Sequence, residues 1–150
     1  MNTERSLRIL IVEDEVLIAL ELESLLLDAG HDVVSVATSS VEALRQAEQF
    51  SPDLALVDIH LTDGPTGVDV ARRLAAERGI TVVFMTANAK RIPADFAGAS
   101  GVLSKPYTER GVKEALAYVL AAESGRSPAP PTTTFIPFVA GARADTPSVV

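Results

Sequence analysis

An unbroken apolar run, Leu54-Ala55-Leu56-Val57, ends in the carboxylate of Asp58. Four such residues make one strand and are too few for a helix. A strand without polar alternation is buried on both faces, as in a parallel sheet between two helix layers. A carboxylate terminates such a strand only where that end meets water or a ligand. In open α/β sheets, ligands collect at the carboxyl ends of the strands. Asp58 is therefore the first candidate for a working residue.

The rest of the chain supplies the partners such a strand needs. Leu7 to Val12 reads as a first strand running into Glu13-Asp14-Glu15, and Asp14 is the expected cap of a first helix that stops at Gly30. His31 to Ala37 reads as a second strand, and Thr38-Ser39-Ser40 caps a helix that ends at Phe50, before Ser51-Pro52. Beyond the Asp58 strand lies a loop from Leu61 to Gly67. A third helix, from Val68 to Gly79, leads to a fourth strand, Ile80 to Thr86. Gly101 to Ser104 is a fifth strand, followed by a helix from about Thr108 to Glu123. Strands alternating with helices predict an α/β three-layer sandwich, flavodoxin-like, with a five-stranded parallel sheet in the order 2-1-3-4-5. Between strands four and five, residues 87–100 contain Pro93, Gly98 and many small residues, so the fourth helix is predicted to be short or irregular.

At 150 residues the chain is expected to hold one domain, residues 1–123, and a Pro/Thr-rich tail, 124–150. By composition the tail reads as a disordered appendage, but it carries an apolar patch at 135–139 that is costly to expose; the alternative is that it packs near the shortened fourth helix, on its own domain or on a second copy as a homodimer. Cysteine is absent, which excludes disulfides and thiolate chemistry. A net charge of −7 argues against nucleic acid as a partner. No apolar run reaches membrane-spanning length and the N-terminus lacks a signal layout, so the expectation is a cytoplasmic protein without membrane contact.

In the predicted topology the carboxyl ends of strands one, three, four and five lie side by side. They bring Glu13 and Asp14, Asp58, Thr86, and Lys105 into one crevice. Three carboxylates there repel one another. A divalent cation relieves the repulsion, and magnesium suits oxygen ligands while keeping coordination room for a phosphate oxygen. A phosphoryl donor then meets Asp58 as nucleophile, with its charge screened by the metal and Lys105, and with the Thr86 hydroxyl as a hydrogen-bond donor.

Ile11-Val12-Glu13-Asp14-Glu15, Leu56-Val57-Asp58, Phe84-Met85-Thr86-Ala87 and Ser104-Lys105-Pro106-Tyr107 together resemble the receiver domain of two-component response regulators, over roughly Leu7 to Glu123. Phe84-Met85-Thr86 is similar to a Phe-x-Thr subgroup known from alphaproteobacteria. The resemblance implies that Asp58 is the phospho-acceptor and that Glu13 and Asp14 form the acidic pocket. It further implies Mg2+ bound by Asp14, Asp58 and the backbone carbonyl of His60, with Thr86 as switch hydroxyl. Lys105 would contact the phosphoryl group, ahead of a cis bond to Pro106. A sensor histidine kinase or a histidine phosphotransfer protein would be the donor. The chain departs from the family pattern at Val102, where an aromatic is common, in the loop after Asp58, and at Ala87-Asn88-Ala89, where the subgroup has Gly and Tyr.

Each residue alone has an ordinary reading. Asp58 could be a loop carboxylate, Glu13-Asp14 a helix start, Thr86 a strand residue and Lys105 a surface charge. His60 is expected to be a solvated loop histidine and His31 a strand-edge residue, with Gly64 and Gly67 serving the turn and the helix entry. Together they favour a stand-alone receiver, a binding switch or phosphate sink rather than an enzyme, acting on a downstream protein. Two alternatives stay open. Asp58-Ile59-His60-Leu61-Thr62 superficially resembles the Asp-x-Asp-x-Thr motif of magnesium-dependent phosphatases with an aspartate nucleophile, although His60 replaces the second aspartate. The other alternative is a receiver-like scaffold that is never phosphorylated. A flavin module fits least, because the acids after strand one would repel the cofactor phosphate.

Overall fold

A computed structural model describes residues 6–125 and 135–138. In chain order these form β1 (Arg8–Val12), α1 (Val16–Asp28), β2 (Asp32–Ala37), α2 (Ser40–Phe50), β3 (Leu54–Asp58), α3 (Gly67–Arg78), β4 (Thr81–Thr86), β5 (Gly101–Ser104), α4 (Glu109–Glu123) and β6 (Phe135–Pro137). The first five strands are parallel in the predicted order, β2-β1-β3-β4-β5. Where the other crossovers carry a full helix, the one between β4 and β5 has only two 3₁₀ turns, Ala89–Arg91 and Phe96–Gly98.

The sheet is six-stranded, not five-stranded, because β6 pairs antiparallel with β5. Leu103, Val102 and Gly101 stand opposite Phe135, Ile136 and Pro137. β5 is the outermost parallel strand, and its open edge is a template for a further strand. The apolar tail segment occupies it. The sheet therefore crosses the boundary drawn at 123/124; Val139, the last residue of the apolar patch, lies outside the described residues.

Alternation along the strands sends side chains into two cores. Leu10, Val57, Phe84, Val70 and Leu74 pack on one side, and Ile9, Leu56, Met85, Leu22 and Leu116 on the other. Every residue of β3 is buried, as an apolar run with helices on both faces requires. Each large aliphatic side chain so buried contributes about 1.5–3 kcal/mol. The helix starts are set locally. Ser39 Oγ, at the N-cap, accepts the Glu42 N–H (3.2 Å), while the Glu42 carboxylate reaches one residue further back and accepts the Thr38 N–H (2.8 Å). Thr108 Oγ1 accepts the Gly111 N–H to open α4. At α1 the expectation fails: Glu15, not Asp14, is the N-cap residue, and it makes no side-chain cap bond. Asp14 is instead part of the acidic cluster described below. His31 ties the first two strands together, its Nδ1 accepting the Leu7 N–H at 2.9 Å. Among the described residues no helix is long and apolar enough to cross a membrane.

Candidate functional site

Parallel register decides which residues meet at the carboxyl edge. Val12 is level with Val57, Asp58 with Met85, and Thr86 with Ser104, so the residues that follow β1 and β5 share one edge with the ends of β3 and β4. The backbone continues this alignment past the strands: the Glu13 N–H donates to the Ala37 carbonyl (2.9 Å) and the Lys105 N–H to the Thr86 carbonyl (3.0 Å).

On that edge Lys105 Nζ donates to Glu13 Oε1 at 2.7 Å and to Asp58 Oδ2 at 3.0 Å. Glu13 is fully buried and Asp58 nearly so. Two of the three ammonium protons are thereby used, and the third is available to another oxygen. Burial pushes the Glu13 carboxyl up to about 7, with the nearby Asp58 charge adding to the rise and hydrogen bonds from Lys105 and the Glu15 N–H opposing it. Burial alone would lower the Lys105 ammonium, but its bonds to Glu13 and Asp58 hold it above its ordinary value.

Glu13, Asp14 and Asp58 each offer a carboxylate oxygen within 4.8 Å of the others. Such a set of hard oxygen donors fits a divalent cation of the magnesium type.

Thr86, also buried, has its hydroxyl occupied: Oγ1 accepts the Asn88 N–H (3.0 Å) and donates to the Asn88 carbonyl (3.3 Å). The His60 side chain is exposed, with Nε2 3.4 Å from Arg91 Nη1. The Lys105–Pro106 bond is cis.

Three contributions were not read from the sequence. Gly67 starts α3 against the phospho-acceptor candidate's own backbone: its N–H donates to the Ile59 carbonyl (2.9 Å), and a Cβ there would collide with the Asp58 carbonyl oxygen and stand 2.7 Å from the Ile59 Cα. The Gly64-x-x-Gly67 spacing signalled a turn but not this close approach. Tyr107 donates its hydroxyl to the Ile18 carbonyl at 2.9 Å, clamping the loop after Lys105 to α1; burial holds the phenol well above its ordinary pKa. A cavity of about 270 Å³ lies beside that clamp, lined by Ile18, Glu21, Ala87, Lys105, Pro106 and Tyr107. Near it α1 leaves Val16, Leu17 and Leu20 exposed, although helical periodicity alone would count them as core.

A parallel α/β sheet with an acid cluster and a lysine gathered on its carboxyl edge defines a class of signalling domains. Within that class the chain belongs to the response regulator receiver domain family, whose model matches residues 9–117. It is 34% identical over 122 residues to the phyllosphere-induced regulator PhyR of Methylorubrum extorquens, a match covering 80% of this chain and 46% of that protein. It superposes on the response regulator PhyR from Brucella abortus with a TM-score of 0.72 at 32% identity, over 81% of this chain and 51% of that one. PhyR from Bartonella quintana, solved in complex with the anti-sigma factor NepR, is 35% identical with a TM-score of 0.50, over 53% of this chain and 33% of that one. The chain spans about half the length of the curated relatives it matches.

Proposed function

We propose that this receiver is a phosphorylation-controlled protein-binding switch, with Asp58 as the phospho-acceptor. The observation that carries the reading is the Lys105 ammonium placed between Glu13 and Asp58, with Asp14 completing the cluster. Glu13, Asp14, Asp58 and the backbone carbonyl of His60 would hold Mg2+, which when bound neutralises charge on the incoming phosphoryl group.

In this reading a sensor histidine kinase or histidine phosphotransfer protein presents a phosphohistidine. An Asp58 oxygen bonds to phosphorus as the N–P bond breaks, its electron pair going to the imidazole nitrogen. Lys105 spends its third donor on a phosphoryl oxygen, and Thr86 turns its hydroxyl from Asn88 to another. The exposed Val16, Leu17 and Leu20 and the neighbouring cavity support a docking face for the donor next to the nucleophile. The downstream step is a contact with another protein or a phosphate-sink role. The solved complex of the relative PhyR with NepR supports the former.

The test is labelling by acetyl phosphate with magnesium, read by intact mass. Wild type takes up one phosphoryl group, and Asp58→Asn falls to background. A mutant that keeps full labelling would reject Asp58, and a wild type that never labels would favour the scaffold reading. The phosphatase alternative requires turnover of a generic phosphate ester. Its second carboxylate is missing, because His60 stands there with an exposed side chain beside Arg91.

A further inference from the structure

The 87–100 segment is held at one end by the site and at the other by the tail strand. At the first end Thr86 Oγ1 gives its single proton to the Asn88 carbonyl and accepts the Asn88 N–H. A hydroxyl has one proton, so it cannot keep that bond and donate to a phosphoryl oxygen on Asp58 as well. At the other end Phe96 and Ala97 have φ of 60° and 51°, a left-handed conformation that disfavours side chains. Asp95 holds them there: Oδ1 accepts the Ala97 N–H (3.0 Å), and the carboxylate pairs with Arg72 on α3.

The strained turn presents the Phe96 ring to Phe138. The two rings stack nearly parallel, with centroids 4.2 Å apart and an interplanar angle of 9°. The Phe138 N–H donates to the Ser100 carbonyl at 2.9 Å. That bond makes the 138/100 pair hydrogen-bonded, so the next pair, Pro137 opposite Gly101, is the kind that exchanges no bonds, and the missing proline N–H costs nothing against β5. On the outer edge the same missing donor discourages a seventh strand. Phe135 fills the space that Gly101 leaves, since a Cβ on that glycine would stand 2.8 Å from two of its ring carbons. Beyond its three register pairs, β6 is anchored by Phe135, which sits over Gly101 and against Tyr118 of α4, and by the Phe138 stack on a strained turn.

We propose that Phe135–Phe138 is a detachable strand that closes the β5 edge, and that Thr86 loosens it through the 87–100 segment when Asp58 is phosphorylated. The β5 edge is then a strand-accepting surface whose resident occupant is the chain's own tail. A competing partner must bring an extended segment with an aromatic ring for the Gly101 seat. The proposal rests on the phospho-acceptor reading of Asp58, and its test separates the two.

Full-length protein is treated with acetyl phosphate and magnesium. Intact mass records the label, and hydrogen–deuterium exchange is followed in the segments 100–104 and 135–138. Labelled wild type exchanges at least tenfold faster there than unlabelled protein. Compared per labelled molecule, whatever its rate of labelling, Thr86→Val, which keeps the shape and removes the hydroxyl, shows no acceleration, whereas Thr86→Ser retains it. Phe138→Ala exchanges faster with no label at all. Labelled wild type with unchanged or slower exchange overturns the proposal while leaving Asp58 as acceptor. So does Thr86→Val accelerating like wild type, or Phe138→Ala exchanging like wild type. Absence of the label from wild type overturns the acceptor reading and this proposal with it.

Discussion

At the carboxyl edge of the sheet, Glu13, Asp58 and Lys105 are joined by charged hydrogen bonds between residues 92 and 47 positions apart in sequence. At the β5 edge, β6 is held by three register pairs, the Phe138 N–H bond to Ser100, and contacts of two rings, Phe135 with Gly101 and Tyr118 and Phe138 with Phe96. The first region cannot shift without leaving a buried charge unpaired, which costs several kcal/mol. The second can open and expose only a few apolar groups. Buried ion pairs are weak evidence of net stability, so what the first region secures is position. On the proposed reading, chemistry falls to the rigid edge and conformational response to the β5 edge, with the 87–100 segment touching both.

The harshest way to break the comparison is at Gly67. Gly67→Ala drives a methyl into the Asp58–Ile59 backbone and is expected to cost about 3 kcal/mol in urea denaturation. A loss under about 0.5 kcal/mol would mean that the backbone under Asp58 is not rigid. Next is Lys105→Met, which strips two buried acceptors of their cation; an expected loss of about 2 kcal/mol is softened because Glu13 can take up a proton.

A gentler effect is spread over pH. In magnesium-free buffer the Glu13 carboxyl is raised from 4.5 to about 7, so the native state keeps a proton that the unfolded chain has released between those values. Its stabilising contribution is complete below pH 4.5, declines as pH rises and is gone once pH passes 7. Glu13→Gln should flatten that slope in thermal melts, and an unchanged slope would place its cause elsewhere. The smallest global loss is expected at the detachable edge. Phe135 is as buried as a core residue, for which truncation to alanine costs about 3–5 kcal/mol. Phe135→Ala should instead cost about 1 kcal/mol, because the strand undocks and the domain beneath stays folded. A full core-sized loss would show β6 to be integral to the fold.

The parallel sheet was legible because Leu54 to Val57 and Val82 to Met85 leave no polar face, and because turn formers separate the elements. The shortened fourth crossover was equally legible in Pro93, Gly98 and the small residues around them. Asp14 misled only as a cap, because an acid before an apolar periodic run reads as one; its place in the strand-end crevice was expected from the topology. Leu17 and Leu20 are exposed despite their helical spacing, since periodicity reports an apolar face but not what covers it. Gly67 and Tyr107 could not be read because their roles depend on which backbone lies opposite.

Local composition by itself determined the order of elements, the run of strand-end acids and the place where a helix could not form, since propensity and periodicity act over a few residues. Only the tertiary structure decided that Lys105 reaches both Glu13 and Asp58, that Thr86 is engaged by Asn88, and that Phe135–Pro137 completes the sheet. Those outcomes depend on distances between segments far apart in the chain, which are set when the sheet closes and its register aligns the strand ends.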